Sequence, residues 1–259
     1  MITSTSNQKI KRIVQWNQKA KQRKLDKVFI VEGPKMFQEA PKSWVSEVYV
    51  ADSFWNKCQI QDEIKQYPYE IVADDVFKKI SNTMTPQGIL CVMKQPVYQL
   101  DNMLTKKNPL LVLLEDIQDP GNLGTILRTG EGAGIDGVIM SRDTVDIFNP
   151  KVIRSTMGSI YRMPFLYVED LCAVIGELRV KDIDVYAAHL KGKNYYEVQD
   201  YTKGCAFLIG NEGNGLKDQT ADAANAYIKI PMEGQVESLN AAIATSLLMY
   251  EAHRQRANE

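Results

Sequence analysis

A series of short apolar segments in the second half of the chain places the tightest limit on how it can fold. Six segments have the composition of strands, namely LLVLLEDI, GVIMS, FLYV, DVYAAHL, CAFLIGN and AYIKI. Several are apolar at nearly every position, as expected of strands that are covered on both faces. Helical segments alternate with them, which predicts an α/β fold with a mostly parallel sheet and helices on both sides.

The first half of the chain predicts a smaller α/β unit. Apolar residues near its start have the spacing of one helix face, namely Ile10, Ile13, Val14 and Trp16. Four strand-like segments follow, VFIVEG, EVYVA, EIVA and GILCVM. After them, PVYQLDNMLTKKNP is polar and contains two prolines, which indicates a linker. We expect a first domain at residues 1–95, a linker at 96–108 and a second domain at 109–259.

Composition limits the location and the ligands of the protein. The N-terminus is polar and basic, and no apolar run reaches the length that spans a bilayer, so we expect a cytoplasmic protein with no membrane partner. The four cysteines are scattered without a C-x-x-C pair, and only two histidines could join them. We therefore expect neither a metal site nor a disulfide framework.

Positive charge is concentrated near the N-terminus although the net charge of the chain is only −1. Eight basic residues lie between positions 9 and 27, against the single acid Asp26. Such a run is either a solvated helix face or a surface that contacts RNA phosphates. The candidates for RNA contact are Lys9, Lys11, Arg12, Lys21, Arg23 and Lys24.

Two helix starts are indicated by their first residues. Asn149 and Pro150 precede KVIRSTMG, and proline is favoured in the first turn of a helix. Ser238 is the predicted N-cap of the last helix, LNAAIATSLLMYEAHRQR, because a serine side chain can accept a hydrogen bond from a backbone N–H of the first turn.

Ligands of a parallel sheet collect beyond the carboxyl ends of its strands, and three loops there carry polar groups. They are EDIQDPGNLGTILRTGEGAG at residues 115–134, FLIGNEGNGL at 207–216 and IPMEGQVESLNAAIA at 230–244. Glycine-rich turns of this kind often bind nucleotides. However, G-N-E-G-N-G lies near the end of the chain and holds an acid, which disfavours a dinucleotide fingerprint and with it a nicotinamide-dependent dehydrogenase.

In their order along the chain, these segments resemble the signature motifs of the SpoU/TrmH family of RNA 2′-O-ribose methyltransferases, within the SPOUT superfamily. The matching motifs are D-P-x-N-x-G-x-x-x-R-T at residues 119–129, N-P-K-V-x-R-x-x-M-G at 149–158, G-x-E-G-x-G at 210–215 and S-L-N at 238–240. The resemblance covers the C-terminal half. Shorter motifs, VFIVEG and TPQGILCV, resemble the ribosomal-protein-like α/β domain with which the family binds RNA.

The resemblance implies a C-terminal SPOUT domain with a trefoil knot, a homodimer, S-adenosylmethionine as methyl donor, and methylation of a ribose 2′-hydroxyl in RNA. The separate N-terminal module favours ribosomal RNA over transfer RNA. By position, the implied cofactor contacts are Gly210, Ile230, Leu239, Leu208 and Met232, and the implied catalytic residues are Asn122, Arg128, Glu212, Ser238 and Asn240.

The chemistry of the reaction suggests roles for these side chains. A sulfonium methyl group is already activated, so the enzyme must align a ribose hydroxyl with it and remove or stabilise a proton. Because a guanidinium stays protonated, we expect Arg128 to bind a phosphate and stabilise the developing alkoxide, with Asn122 orienting it. Glu212 would tether Arg128 or assist proton removal, and Ser238 and Asn240 would fix the loops and the nucleotide.

Two alternatives remain open. A SPOUT enzyme that methylates a base would use different polar residues, including an aspartate as base. A catalytically inactive SPOUT protein that binds RNA would be free to lose the polar groups of the motifs, all of which are present here.

Overall fold

The structure, a computed structural model, describes residues 1–194, 199–236 and 238–257. Its strands are β1 (Val28–Glu32), β2 (Val45–Ala51), β3 (Tyr69–Val72), β4 (Ile89–Lys94), β5 (Leu110–Leu114), β6 (Gly137–Ser141), β7 (Phe165–Val168), β8 (Asp184–Asn194), β9 (Cys205–Ile209) and β10 (Ala226–Lys229). Its helices are α1 (Gln8–Gln18), α2 (Ala20–Asp26), α3 (Pro34–Gln38), α4 (Asp52–Trp55), α5 (Gln61–Ile64), α6 (Asp74–Ile80), α7 (Pro120–Ala133), α8 (Pro150–Thr156), α9 (Leu171–Val180), α10 (Asp218–Asp222) and α11 (Ala241–Arg256).

The chain forms two compact units. The first contains residues 1–97 and 146–161, and the second contains 98–145 and 162–259. Segment 146–161 thus belongs with the N-terminal residues, although it follows β6 in sequence. Within the predicted linker, Met103 is buried in the core of the second unit. The limits of 1–95, 96–108 and 109–259 for the two domains and their linker remain a prediction.

The first unit is built on a four-stranded sheet of order β1-β4-β2-β3. Strand β4 is antiparallel to β1 and β2, and β2 is parallel to β3. The predicted helix α1 is confirmed: Asn7 caps it by accepting a hydrogen bond from the Lys9 backbone N–H at 2.9 Å. Its buried residues Ile10, Ile13 and Trp16 join the core of this unit, and Val14 packs against that core half-buried.

Segment 146–161 packs within the first unit through helix α8 and the residues around it. Asn149 caps this helix and Pro150 lies in its first turn, which confirms the predicted start. The rings of Phe148 and Phe29 lie 4.8 Å apart between centroids. The hydroxyl of Tyr161 donates a 2.8 Å hydrogen bond to the Met36 carbonyl.

The second unit contains a six-stranded sheet of order β10-β8-β9-β5-β6-β7, in which every neighbouring pair is parallel. The prediction of a mostly parallel sheet is therefore confirmed. Each of its six strands corresponds to one of the predicted strand segments. The two central strands, β5 and β9, are buried at every position. Loops that leave their carboxyl ends therefore start side by side at the middle of the sheet.

The last helix begins two residues later than predicted, so the assignment of Ser238 as its cap is wrong. Asn240 is the N-cap of α11, and its Oδ1 accepts hydrogen bonds from the N–H groups of Ala242 at 2.9 Å and Ile243 at 3.2 Å. Serine and asparagine are comparable caps, and the apolar residue between them, Leu239, resembled the first residue of the helix.

Candidate active site

Two of the three predicted loops leave the sheet from adjacent strands. Strands β5 and β9 pair in parallel, with Leu114 opposite Ile209 at their carboxyl ends. After β5 the chain turns through Asp116, whose φ is 56°, and then enters α7. Asp119 caps α7 by accepting a 2.8 Å hydrogen bond from the Asn122 N–H. This bond fixes the point at which the loop ends and the helix begins.

The carboxylate of Glu212 connects these two loops. Its Oε2 accepts a 3.0 Å hydrogen bond from the N–H of Gln118, and its Oε1 accepts from the N–H of Asp119 at 3.0 Å and from Asn122 Nδ2 at 2.9 Å. Burial raises the pKa of this carboxyl, but the bond from Asn122 and the backbone N–H groups outweigh it, so its pKa lies below the ordinary value. Glu212 is therefore a charged tether between the loops after β5 and β9.

Asn240 brings the third predicted loop into the same cluster. While its Oδ1 caps α11, its Nδ2 donates a 2.9 Å hydrogen bond to Asn122 Oδ1. Asn122 is only 9% exposed, and its amide is bonded at both ends. Asn122, Glu212 and Asn240, which the sequence placed in three separate loops, are thus brought together in one hydrogen-bonded cluster.

Arg128 lies on the same helix as Asn122 but outside this cluster. Six helical positions correspond to about 9 Å along the axis and a turn about 240° beyond one full revolution, so the two side chains leave different faces of α7. Arg128 is exposed, and within the part of the chain that the structure describes its guanidinium makes no hydrogen bond or ion pair. Asn122 therefore does not orient it, nor does Glu212 tether it, within a single copy of the chain. Ser238 is also exposed and forms no hydrogen bond with the cluster.

The residues predicted to contact a cofactor have different environments. Ile230, Met232 and Leu239 are half-buried and can still present apolar surface to a ligand. Leu208 is fully buried in the core, so only its backbone is available. A Cβ at Gly210 would lie 2.2 Å from the Gly215 carbonyl carbon, so glycine is needed for the loop to close on itself.

Glu115 is a site-forming residue that sequence reasoning missed. It is 4% exposed, and its carboxylate accepts hydrogen bonds from the Lys217 N–H at 2.8 Å and Thr220 Oγ1 at 2.5 Å. It therefore fixes the segment after the glycine-rich loop against the end of β5. The acidic pair in L-E-D-I was the only sequence signal, and it is equally typical of a solvated turn.

The basic run at residues 9–27 is only partly available to RNA. Arg23 is 3% exposed, and its guanidinium bonds Asp146 Oδ2 at 2.6 Å and the Trp16 carbonyl at 2.5 Å. Its predicted place on an RNA-contact surface is corrected accordingly. The exposed side chains that remain are Lys9, Lys11, Arg12, Lys21 and Lys24, of which Lys9 pairs with Glu70 at 2.7 Å.

Metal-binding groups and membrane-spanning helices were the two other features that the sequence analysis addressed. Among the described residues, no group of three or more His, Cys, Asp or Glu side chains converges to hold a metal ion. Across the same residues, every helix falls short of the length and apolar character needed to cross a bilayer.

Comparison with known proteins identifies the class of this site. Residues 109–250 match the model of the SpoU rRNA Methylase family, and residues 7–91 match that of the MRM3-like substrate binding domain. The chain is 33% identical over 251 residues to the 23S rRNA (guanosine(2553)-2′-O)-methyltransferase RlmP of Bacillus subtilis, covering 96% of this chain and 97% of that one.

Solved structures support the same class. The SpoU methyltransferase AviRb from Streptomyces viridochromogenes, in complex with AdoMet, superposes with a TM-score of 0.89 at 25% identity over 97% of this chain and 98% of that one. An AdoMet-bound rRNA methyltransferase from Sinorhizobium meliloti gives 0.84 at 31% identity, covering 98% and 97%. Fold and site thus define an RNA methyltransferase that uses S-adenosylmethionine. The chain belongs to the SpoU rRNA methylase family.

Proposed function

We propose that the protein methylates a ribose 2′-hydroxyl in ribosomal RNA, with S-adenosylmethionine as donor. The observation that carries this proposal is the Asn122–Glu212–Asn240 cluster, in which three loops meet at the carboxyl ends of a parallel sheet in a member of this family. The cofactor supplies an activated methyl group. The protein must then hold the ribose hydroxyl in line and stabilise the charge that develops on it.

Glu212 acts as a positioning residue in this proposal. Three donors occupy its carboxylate and its pKa is lowered, which makes it a weak acceptor for the hydroxyl proton. The amides of Asn122 and Asn240 each keep one N–H that the cluster does not use, because an amide nitrogen carries two donors. These two N–H groups are suited to fix the nucleotide, and Ser238 lies on the same loop as Asn240.

Arg128 is proposed as the group that binds a phosphate next to the target ribose and stabilises the alkoxide. Its exposure and its lack of a partner among the described residues leave its five donors available for an anion. The apolar residues Ile230, Met232 and Leu239 would flank the adenine of the cofactor. Gly210 and Leu208 would contact it through their backbone.

A homodimer is part of the proposal. Ile243, Leu247 and Tyr250 are 51%, 39% and 48% exposed and follow one face of α11 at intervals of four and three residues. An apolar stripe of this kind suits a self-complementary contact between two copies. We also propose that the second unit contains the family's trefoil knot and that the protein is cytoplasmic.

Ribosomal RNA from cells that lack the gene is the substrate for the test. The purified protein and labelled S-adenosylmethionine are added, and the RNA is then digested to nucleosides for mass spectrometry. We expect label on ribose and none on a base. Label on a base would favour the alternative SPOUT chemistry, and absence of affinity for S-adenosylmethionine or its demethylated product, with and without RNA, would refute the proposal.

A further inference from the structure

Asp116 is the residue at which the loops after β5, β6 and β9 are joined. It follows the end of β5, where the Glu115 N–H donates a 2.8 Å hydrogen bond to the Ile209 carbonyl of β9. Its φ of 56° lies in the left-handed region, which a residue other than glycine adopts when its surroundings hold it there. The contacts of Asp116 therefore decide its conformation more than the preference of its own backbone does.

The N–H and the carboxylate of Asp116 bind the two neighbouring loops. The N–H donates a 2.8 Å hydrogen bond to Ser141 Oγ at the end of β6, and the Ser141 hydroxyl donates to Asp116 Oδ1 at 2.7 Å. Oδ2 pairs at 2.7 Å with Lys217 Nζ, from the loop after β9. Burial raises the pKa of Asp116, but the bonds from Lys217 and Ser141 and the charge of Lys217 outweigh it, so the pKa is lowered and the carboxylate is ionised at neutral pH.

The carbonyl of Asp116 connects it to both sides of the Glu212 tether. This oxygen accepts hydrogen bonds from Asn211 Nδ2 at 2.7 Å and from Gln118 Nε2 at 3.1 Å. Asn211 precedes Glu212 and shapes its turn, because Asn211 Oδ1 accepts from the N–H groups of the two residues after Glu212 at 2.9 and 3.0 Å. Gln118 donates its own N–H to Glu212 Oε2 at 3.0 Å. Asp116 thus holds the carboxylate side and the donor side of the tether together.

A cavity of about 350 Å³ lies between the three loops. Among the described residues that line it, Leu216 alone has an apolar side chain, and the others are polar, charged or glycine. Asp143 lines it from the loop after β6, and its carbonyl accepts a 2.7 Å hydrogen bond from Gln118 Nε2. Because little apolar packing fills this space, hydrogen bonds and the pair of Asp116 with Lys217 fix the loops.

We propose that Asp116 is a positioning residue for methyl transfer. By fixing Asn211 and Gln118, it holds the Glu212 carboxylate in place. That carboxylate in turn orients the amide of Asn122, which fixes the nucleotide in the proposed function on which this inference rests. A displacement of about 1 Å can lower the rate of an aligned reaction about 10²-fold, so loss of the ties from Asp116 acts on kcat.

Asp116→Gly is the discriminating variant, because glycine adopts a φ of 56° without strain and the change removes only the side-chain bonds. With ribosomal RNA from cells lacking the gene, we expect kcat to fall about ten- to hundredfold. KM for RNA should stay within about twofold, and the midpoint of thermal unfolding within about 3 °C. Asp116→Asn, which tolerates this φ and keeps one side-chain oxygen, should restore part of the lost rate.

Asp182→Gly is the matched control. Asp182 has a φ of 57° and is exposed in the turn before β8, at the amino end of the strand, so the same substitution is made in the same backbone conformation away from the site. We expect its kcat to equal that of the original protein. Amide hydrogen exchange adds a measurement independent of turnover: the N–H groups of Gln118 and Asp119 should exchange faster in Asp116→Gly and at the original rate in Asp182→Gly.

Four results would overturn this role while leaving methyl transfer itself intact. They are full kcat in Asp116→Gly, a loss confined to KM, unchanged exchange at Gln118 and Asp119, and an equal loss of kcat in Asp182→Gly. Absence of ribose methylation by the unmodified protein would instead remove the proposed function on which the inference rests.

Discussion

Two arginines that the sequence assigned to RNA contact have opposite environments. Arg23, on α2 in the first unit, is buried and bonds a carboxylate and a backbone carbonyl. Arg128, on α7 in the second unit, is exposed and has no partner among the described residues. The guanidinium group of Arg23 thus stabilises the fold of the first unit, whereas that of Arg128 is available to a ligand.

The difference arises from the segments around each arginine. Arg23 lies where segment 146–161 returns to the first unit and places Asp146 against it. Arg128 follows the capped start of α7 by two turns, and Glu131, the acid three positions further along the same helix, is paired with Arg162. An arginine is left for a substrate when the local carboxylates are bound elsewhere.

Of the substitutions that test this comparison, replacing Arg23 with alanine should have the largest effect, and it should act on stability. The change leaves Asp146 without its partner. Removal of one member of a fully buried pair costs about 3–5 kcal/mol, and the cost here should be smaller because the Asp146 side chain is 29% exposed. We expect a marked fall in the midpoint of thermal unfolding, measured by calorimetry, with kcat per folded molecule retained. Lys21→Ala, an exposed change on the same helix, should alter stability by no more than about 0.5 kcal/mol. Equal stability of the two variants would show that Arg23 is a surface group after all.

The fold was largely predictable because its strands carry strong local patterns. Strands such as β5 and β9 are apolar throughout, and every predicted strand is present. The place of segment 146–161 was not predictable, because its contacts join residues more than one hundred positions apart, such as Arg23 and Asp146. Periodicity reports the face of an element that is buried, but not the partner that covers it.

The sequence predicted which residues form the candidate site better than it predicted the hydrogen bonds between them. Asn122, Glu212 and Asn240 meet as their motifs suggested. The bond between Asn122 and Arg128 does not form, because helical spacing separates them. Asp143 carried no motif at all, and its place in a cavity depends on three loops converging.

Replacing Arg128 with alanine tests the other side of the comparison. Loss of one donor to a developing oxyanion lowers kcat by about 10²–10³-fold, so we expect methyl transfer to fall by that factor. The unfolding midpoint should stay the same, in contrast to the Arg23 variant. Arg179→Ala, an exposed arginine on α9, is the control for loss of positive charge. Retained turnover in Arg128→Ala would remove this residue from the mechanism.

Two substitutions of Asn240 distinguish its structural role as the cap of α11 from its role as a hydrogen-bond donor in the cluster. Asn240→Ala loses the cap of α11 and should lower the free energy of unfolding by about 1 kcal/mol. Asn240→Asp keeps the capping oxygen but cannot donate to Asn122 Oδ1. We expect the aspartate variant to be nearly as stable as the original protein while its methyl transfer falls. Parallel losses of stability and activity in both variants would show that the cap alone matters.

The smallest effects are expected on the exposed face of α2, where Lys21 and Lys24 flank the buried Arg23. Reversing both charges, in Lys21→Glu with Lys24→Glu, should weaken binding to ribosomal RNA modestly and flatten its dependence on salt, because fewer phosphate counterions are released. Stability should stay close to the original value, since neither side chain is buried. The measurement is RNA affinity across a series of salt concentrations, with Lys181→Glu, an exposed charge reversal in the second unit, as control. An unchanged salt slope would mean that the basic face of α2 is only solvated, and that RNA is contacted elsewhere on the protein.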